Sequence, residues 1–118
     1  MKHIVEKSWV TGSDNGIDFY ELLNLSREYI LKGSKLFIGS DSFISKQKIC
    51  FSTALCLHGG EMGGRYFFFK DFVPKNQYSN LVSRITEETR RSVEIAAMLM
   101  DEYSFDPSSI ELHLDVSP

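Results

Sequence analysis

Cysteine is scarce in this sequence, with only Cys50 and Cys56 among 118 residues. The two lie in one strand-like run, and at roughly 3.3 Å per residue they stand about 20 Å apart, too far to pair within it. There is no CxxC, no basic-then-apolar leader and no apolar run near the length of a membrane span. The expectation is a cytoplasmic protein with two buried structural thiols, and no membrane partner. Positive charge is also in short supply. Thirteen Lys and Arg face sixteen Asp and Glu, a net charge of −3, so no global field holds nucleic acid by its phosphates. A nucleic-acid partner must be gripped locally or through metal ions. A glycine-rich phosphate loop, an internal repeat and a low-complexity linker are absent as well.

What is present is core material: 42% of the residues are hydrophobic and 13% aromatic, enough for one globular domain. Residues 1–17 have no clear period, and "TGSDNG" gathers turn formers, so this stretch reads as a lead-in arm to a single domain over 18–118. The domain opens with a helix over 18–32. Asp18 is placed to cap it, with Glu21 completing a capping box, and Phe19, Leu22, Leu23, Tyr29 and Ile30 form its stripe. "KLFIGSDSF", "ICFSTALCLH" and "RYFFFKDFV" then read as three strands joined by "SKQK" and "GGEMGG", an antiparallel meander closed by Pro74. A long helix runs from Ser79 to about Tyr103 and is broken before Pro107. "IELHLDV" is a last strand, free to lie parallel to an earlier one. The fold class is α/β.

Helical geometry sorts the glutamates of the long helix. With Glu88 set at zero, Leu81 and Leu99 fall at about 20°, Ile95 at about −20° and Ala96 at about 80°, while Glu87 falls at about −100° and Glu94 at about −120°. Glu88 alone is expected against the core, where a carboxylate needs a partner, a hydrogen bond or a metal. A rim position, with Glu88 reaching water or pairing with Arg84 one turn earlier, is the structural alternative. In the first strand of the meander Asp41 shares a face with Gly39 and Phe37, with Leu36 and Ile38 on the other. In the last strand Glu111, His113 and Asp115 share the face opposite Ile110, Leu112, Leu114 and Val116. If these strands lie side by side and parallel, Asp41 and Asp115 reach the same sheet edge, with Glu88 arriving from the helix. Three converging carboxylates suit the hard ions Mg²⁺ and Mn²⁺, and two such ions about 4 Å apart serve in-line displacement at phosphorus.

The motifs "IGSDS", "TALCLHGGEMGGRYF", "RITEETRRSVEIA" and "IELHLDVSP", in this order from about Leu36 to Pro118, resemble the YkuK-like family of predicted nucleases in the ribonuclease H-like superfamily. The resemblance implies a meander, a long helix and a parallel fourth strand. It implies Asp41, Glu88 and Asp115 as metal ligands and catalytic residues, and His58 and His113 as proton carriers or groups behind the ligands. Structural histidines are the alternative for both. Arg84 and Ser92 match its helix motif, where pairing and packing explain them equally well. Members of the family continue into a further helix, a fifth strand and a C-terminal helix with a fourth acidic ligand. None of these follows here, so the expected fold lacks its C-terminal portion and leaves a bare edge on the last strand, a site for homo-oligomer contact. The expected function is a Mg²⁺- or Mn²⁺-dependent nuclease on RNA or DNA, with Arg65, Lys70 and Lys75 as local phosphate contacts. The alternative is a non-catalytic interaction or scaffold domain.

Overall fold

The first helix, α1 (Phe19–Leu31), begins where expected in the computed structural model, which describes residues 3–114. The Asp18 carboxylate accepts from the Tyr20 N–H, and Phe19, Leu22, Leu23 and Tyr29 are buried. Two long strands follow, β2 (Lys35–Ser45) and β3 (Lys48–His58), separated only by Lys46 and Gln47. Lys46 takes φ 58°, which lets so short a turn close on right-twisted strands. The longer connection to β4 (Arg65–Pro74) folds back against the start of β2. A Cβ on Gly60 would stand 2.4 Å from the Ser34 backbone nitrogen, so only glycine fits there.

The long helix α2 (Leu81–Tyr103) is fixed at both ends. Asn80 and Ser83 exchange capping-box bonds at its start, and Ser104 closes it in a left-handed conformation with φ 60°, as helix ends commonly require. Asp106 and Pro107 then lead into β5 (Ile110–His113), which pairs parallel with β2, Ile38 opposite Leu112 and Gly39 opposite His113. The meander and the parallel strand are as the sequence predicts.

The lead-in arm is not merely an arm. Val10–Thr11 forms a strand, β1, antiparallel to Phe67 and Phe68 of β4, so the mixed sheet has five strands in the order β1-β4-β3-β2-β5. Ile4 and Trp9 are 1% exposed and join the core. The Trp9 indole N–H donates to the Ile4 carbonyl at 2.8 Å, and its ring packs edge-on to Phe69 at 4.6 Å. Periodicity misses this segment because two strand residues and one turn of 3₁₀ helix are too short to show a period.

Both helices lie on one face of the sheet. Leu36 and Ile38 of β2, Leu55 and Leu57 of β3, and Phe67 and Phe69 of β4 meet α1 and α2 there in a single cluster. The opposite face carries no element among the described residues. Cys50 is buried, Cys56 half-buried, and both are free thiols. No described helix is long and apolar enough to cross a membrane.

Two helical-wheel expectations are corrected. Glu87, expected toward solvent, is 6% exposed, and Leu81, expected on the core face, is 44% exposed. The buried arc of α2 is wider than its apolar stripe, because Arg91 and Glu87 sink together as an ion pair at 2.8 Å between helix and sheet. Leu81 lies in the first turn, at the rim of the sheet.

Candidate functional site

Strand alternation decides what the second half of β2 offers. Leu36 and Ile38 face the helices, and the same phase carries Ser40 and Ser42 to α2. Glu88 is 8% exposed and meets Ser42. The Ser42 hydroxyl donates to the Glu88 carboxylate, while Arg84 Nε donates to that hydroxyl at 3.2 Å and Arg84 Nη2 to the Ser42 carbonyl at 3.0 Å. One turn further along α2, the Ser92 hydroxyl donates to the Ser40 oxygen at 2.9 Å, and Ser40 lies 3.2 Å from the Thr53 hydroxyl. Glu88 is thus on the core face, as its helical position predicts. Arg84 reaches the same cluster through Ser42. The serines were legible in the alternation of β2 but have no side-chain type that marks them as partners of a glutamate.

Asp41 falls in the opposite phase. It is exposed, and its carboxylate accepts the Ser42 N–H at 2.8 Å. Asp41 and Glu88 therefore flank Ser42 from the two sides of the strand, where the sequence predicts convergence in one small volume. Strand alternation, with Ser40 and Ser42 in the helix-facing phase, produces this division. His113 stands opposite Gly39 on the neighbouring strand, in the phase of Asp41, with its ring 4.9 Å from that of Phe37. His58 is not brought to the site: it pairs with Lys35 at the far end of β2, about 20 Å along the strand from Asp41. Its ring packs 6.4 Å from Phe37, a structural contact. Asp115 lies outside the described residues. Among the described residues no group of three or more His, Cys, Asp or Glu side chains is gathered as a metal site.

A second charged cluster adjoins the first, and sequence reasoning overlooked it. Arg91 is buried with its guanidinium 4.5 Å from the Phe51 ring; it donates to Asp71 at 2.8 Å and to Glu87 at 2.8 Å. Lys7 reaches Asp71 at 2.9 Å, and Arg90 holds Glu87 at 2.6 and 2.7 Å. Burial pushes the Asp71 carboxyl up, but the bonds from Lys7 and Arg91 outweigh it and hold the group below its ordinary range. Glu87 behaves likewise under Arg90 and Arg91. Burial and the neighbouring Glu87 push the Tyr78 phenol up. Both carboxylates are matched by cations, so this cluster ties elements together and offers no cation site. Its one legible signal was the four-residue spacing of Glu87 and Arg91.

The cations expected to meet phosphate are dispersed. Arg65 lies against the Phe67 ring at 5.4 Å, Lys70 stands on the bare face 5.9 Å from the Phe68 ring, and Lys75 lines a cavity of about 480 Å³ with Tyr78, Asn80 and Arg84.

An α/β unit with a mixed five-stranded sheet, a long helix across one face and acidic residues on the first long strand and that helix is of the ribonuclease H-like type. The family model described as ribonuclease H-like matches residues 19–118, and the chain belongs to that family. No match was found among curated proteins or solved structures.

Proposed function

We propose that this chain is a metal-dependent nuclease domain that hydrolyses phosphodiester bonds of RNA or DNA. The observation that carries the reading is the buried Glu88 carboxylate held against Ser42, one residue from Asp41, on the strand that pairs parallel with β5. The donor chemistry fits: carboxylate oxygens select Mg²⁺ or Mn²⁺. Asp41, Glu88 and Asp115 would hold the cation, which supplies neutralisation of phosphate charge and activation of water when bound. Arg84 and Ser42 hold Glu88 in place. His113, opposite Gly39 on the neighbouring strand and exposed, would exchange a proton near that acid.

One observation favours a second reading. Glu88 is engaged by the Ser42 hydroxyl, and Asp41 lies in the opposite phase of the strand with its carboxylate on the Ser42 N–H. A ribonuclease H-like scaffold that binds without cutting would have this arrangement. Cleavage of end-labelled single-stranded, duplex and hybrid substrates in Mn²⁺ separates the two. The nuclease reading expects cleavage that EDTA abolishes and that Asp41→Asn and Asp115→Asn each lower by about a hundredfold or more, the scale on which metal-supported catalysis is lost. Intact substrate with folded protein, or cleavage unchanged in both variants, leaves the scaffold reading.

A further inference from the structure

The bare face of the sheet has a definite relief. Along its middle strand β3 lie small side chains, Ser52, Ala54 and Cys56, in register with Lys70, Phe68 and Tyr66 of β4 on one side and with Asp41, Gly39 and Phe37 of β2 on the other. Phe37 and Phe43 rise from β2, and Tyr66, Phe68 and Phe72 from β4. Phe43 and Tyr66 are each 47% exposed and Phe72 56%. The rings form two groups, Phe43 with Phe72 and Tyr66 with Phe68, on either side of the polar row Asp41, Ser52 and Lys70, and exposed aromatic groups of this kind on a small domain mark a binding surface.

Charge selects the occupant. Lys70 projects between Phe68 and Phe72, and Lys48 stands on β3 in the same phase. Lys35, at the end of the face, is matched by Glu111 at 3.2 Å, but among the described residues no carboxylate pairs with Lys48 or Lys70. A covering layer with no acid opposite Lys70 would bury its ammonium with only the Phe68 ring against it, which is costly. A phosphate-bearing strand supplies the missing anion, and its bases supply flat apolar surfaces for the exposed rings. A duplex keeps its base faces stacked inside, so only a single strand can use rings of this kind.

We propose that this face binds single-stranded nucleic acid, with bases against Phe43, Tyr66 and Phe72 and backbone phosphate at Lys70. The proposal deepens the nuclease reading by naming its substrate class. Asp41 lies in the same cross-strand row as Lys70, with Ser52 between, about 10 Å away across two strand spacings. A strand anchored at Lys70 therefore passes beside the acid that the nuclease reading uses. It also answers how a chain of net charge −3 holds a polyanion: the grip is local.

The test is fluorescence anisotropy with a labelled oligonucleotide of about 12 nucleotides, single-stranded and as its duplex, at low salt in EDTA. Without metal, a failed nuclease reading leaves the result intact, and the two can fail separately. The expected result is saturable binding of the single strand, weaker binding of the duplex, and an affinity loss of about tenfold or more in both Lys70→Glu and Phe72→Ala. Lys32→Glu, an equal charge change at the end of α1, should cost much less. All these side chains are exposed, and circular dichroism verifies folding. The proposal is overturned by no binding at protein concentrations near about 10⁻⁴ M, by equal binding of duplex, or by equal losses in Lys70→Glu and Lys32→Glu. A concentration-dependent dimer abolished by Phe72→Ala would overturn it too, since a second copy would then occupy the face.

Discussion

Arg91 is the residue on which the helix–sheet junction turns. It is buried, spans Asp71 and Glu87, and lies against Phe51. Its removal leaves two partly or fully buried carboxylates short of a cation, so Arg91→Ala is expected to cost about 3 kcal/mol. Arg90 holds the same Glu87 from the exposed side, and Arg90→Ala is expected to cost less than about 1 kcal/mol. Urea denaturation of the two variants distinguishes them; equal midpoints would mean that burial of the pair contributes nothing. At this scale the sequence was partly legible. The direction of Glu88 follows from counting residues around a helix, and strand phase separates Asp41 from Leu36 and Ile38, but that Asp41 is exposed did not follow from it. The burial of Glu87 did not follow, because a wheel centred on apolar residues takes a charged residue at its margin as solvated. A salt-bridged Arg four residues on changes that, since the pair can sink together.

Among elements, the ion network joins the segment before β1 through Lys7, the strand β4 through Asp71, and α2 through Glu87 and Arg91. Asp71 and Glu87 are both held below their ordinary range in the folded chain. A depressed folded value means that the unfolded chain binds more protons in the acid window. The stability these groups contribute is then fully present above about pH 5, and falls as pH drops through about 4 and below. A plot of unfolding midpoint against pH should be level near neutrality and decline in that acid window. The decline should be shallower in Arg91→Ala, and an equally steep decline in that variant would show that other carboxylates set it. Element existence was legible throughout from residue 18 onward, because the helices and strands there are long enough for their periods to emerge. The exception is β1. Its place in the sheet comes from Trp9 and Ile4 filling the core beside β4, a tertiary cause that no local period announces.

At the scale of the whole molecule, the parallel pairing of β2 with β5 was legible from the helix that separates them, which allows a crossover connection. The site was less legible. Strand phase placed Asp41 and Glu88 on their faces one at a time, but which face the helices cover depends on the packing of β2, β3 and β4 together. The central claim is that the acids at the second half of β2 belong to a cation centre. Calorimetric titration of the chain with Mn²⁺ and Mg²⁺, beside Asp41→Asn, Glu88→Gln and Asp115→Asn, tests it most directly. The account predicts binding at millimolar metal or below that is lost or strongly weakened in each of the three variants. A folded chain that takes up no metal at millimolar concentration, or one that binds equally well in all three variants, would contradict it.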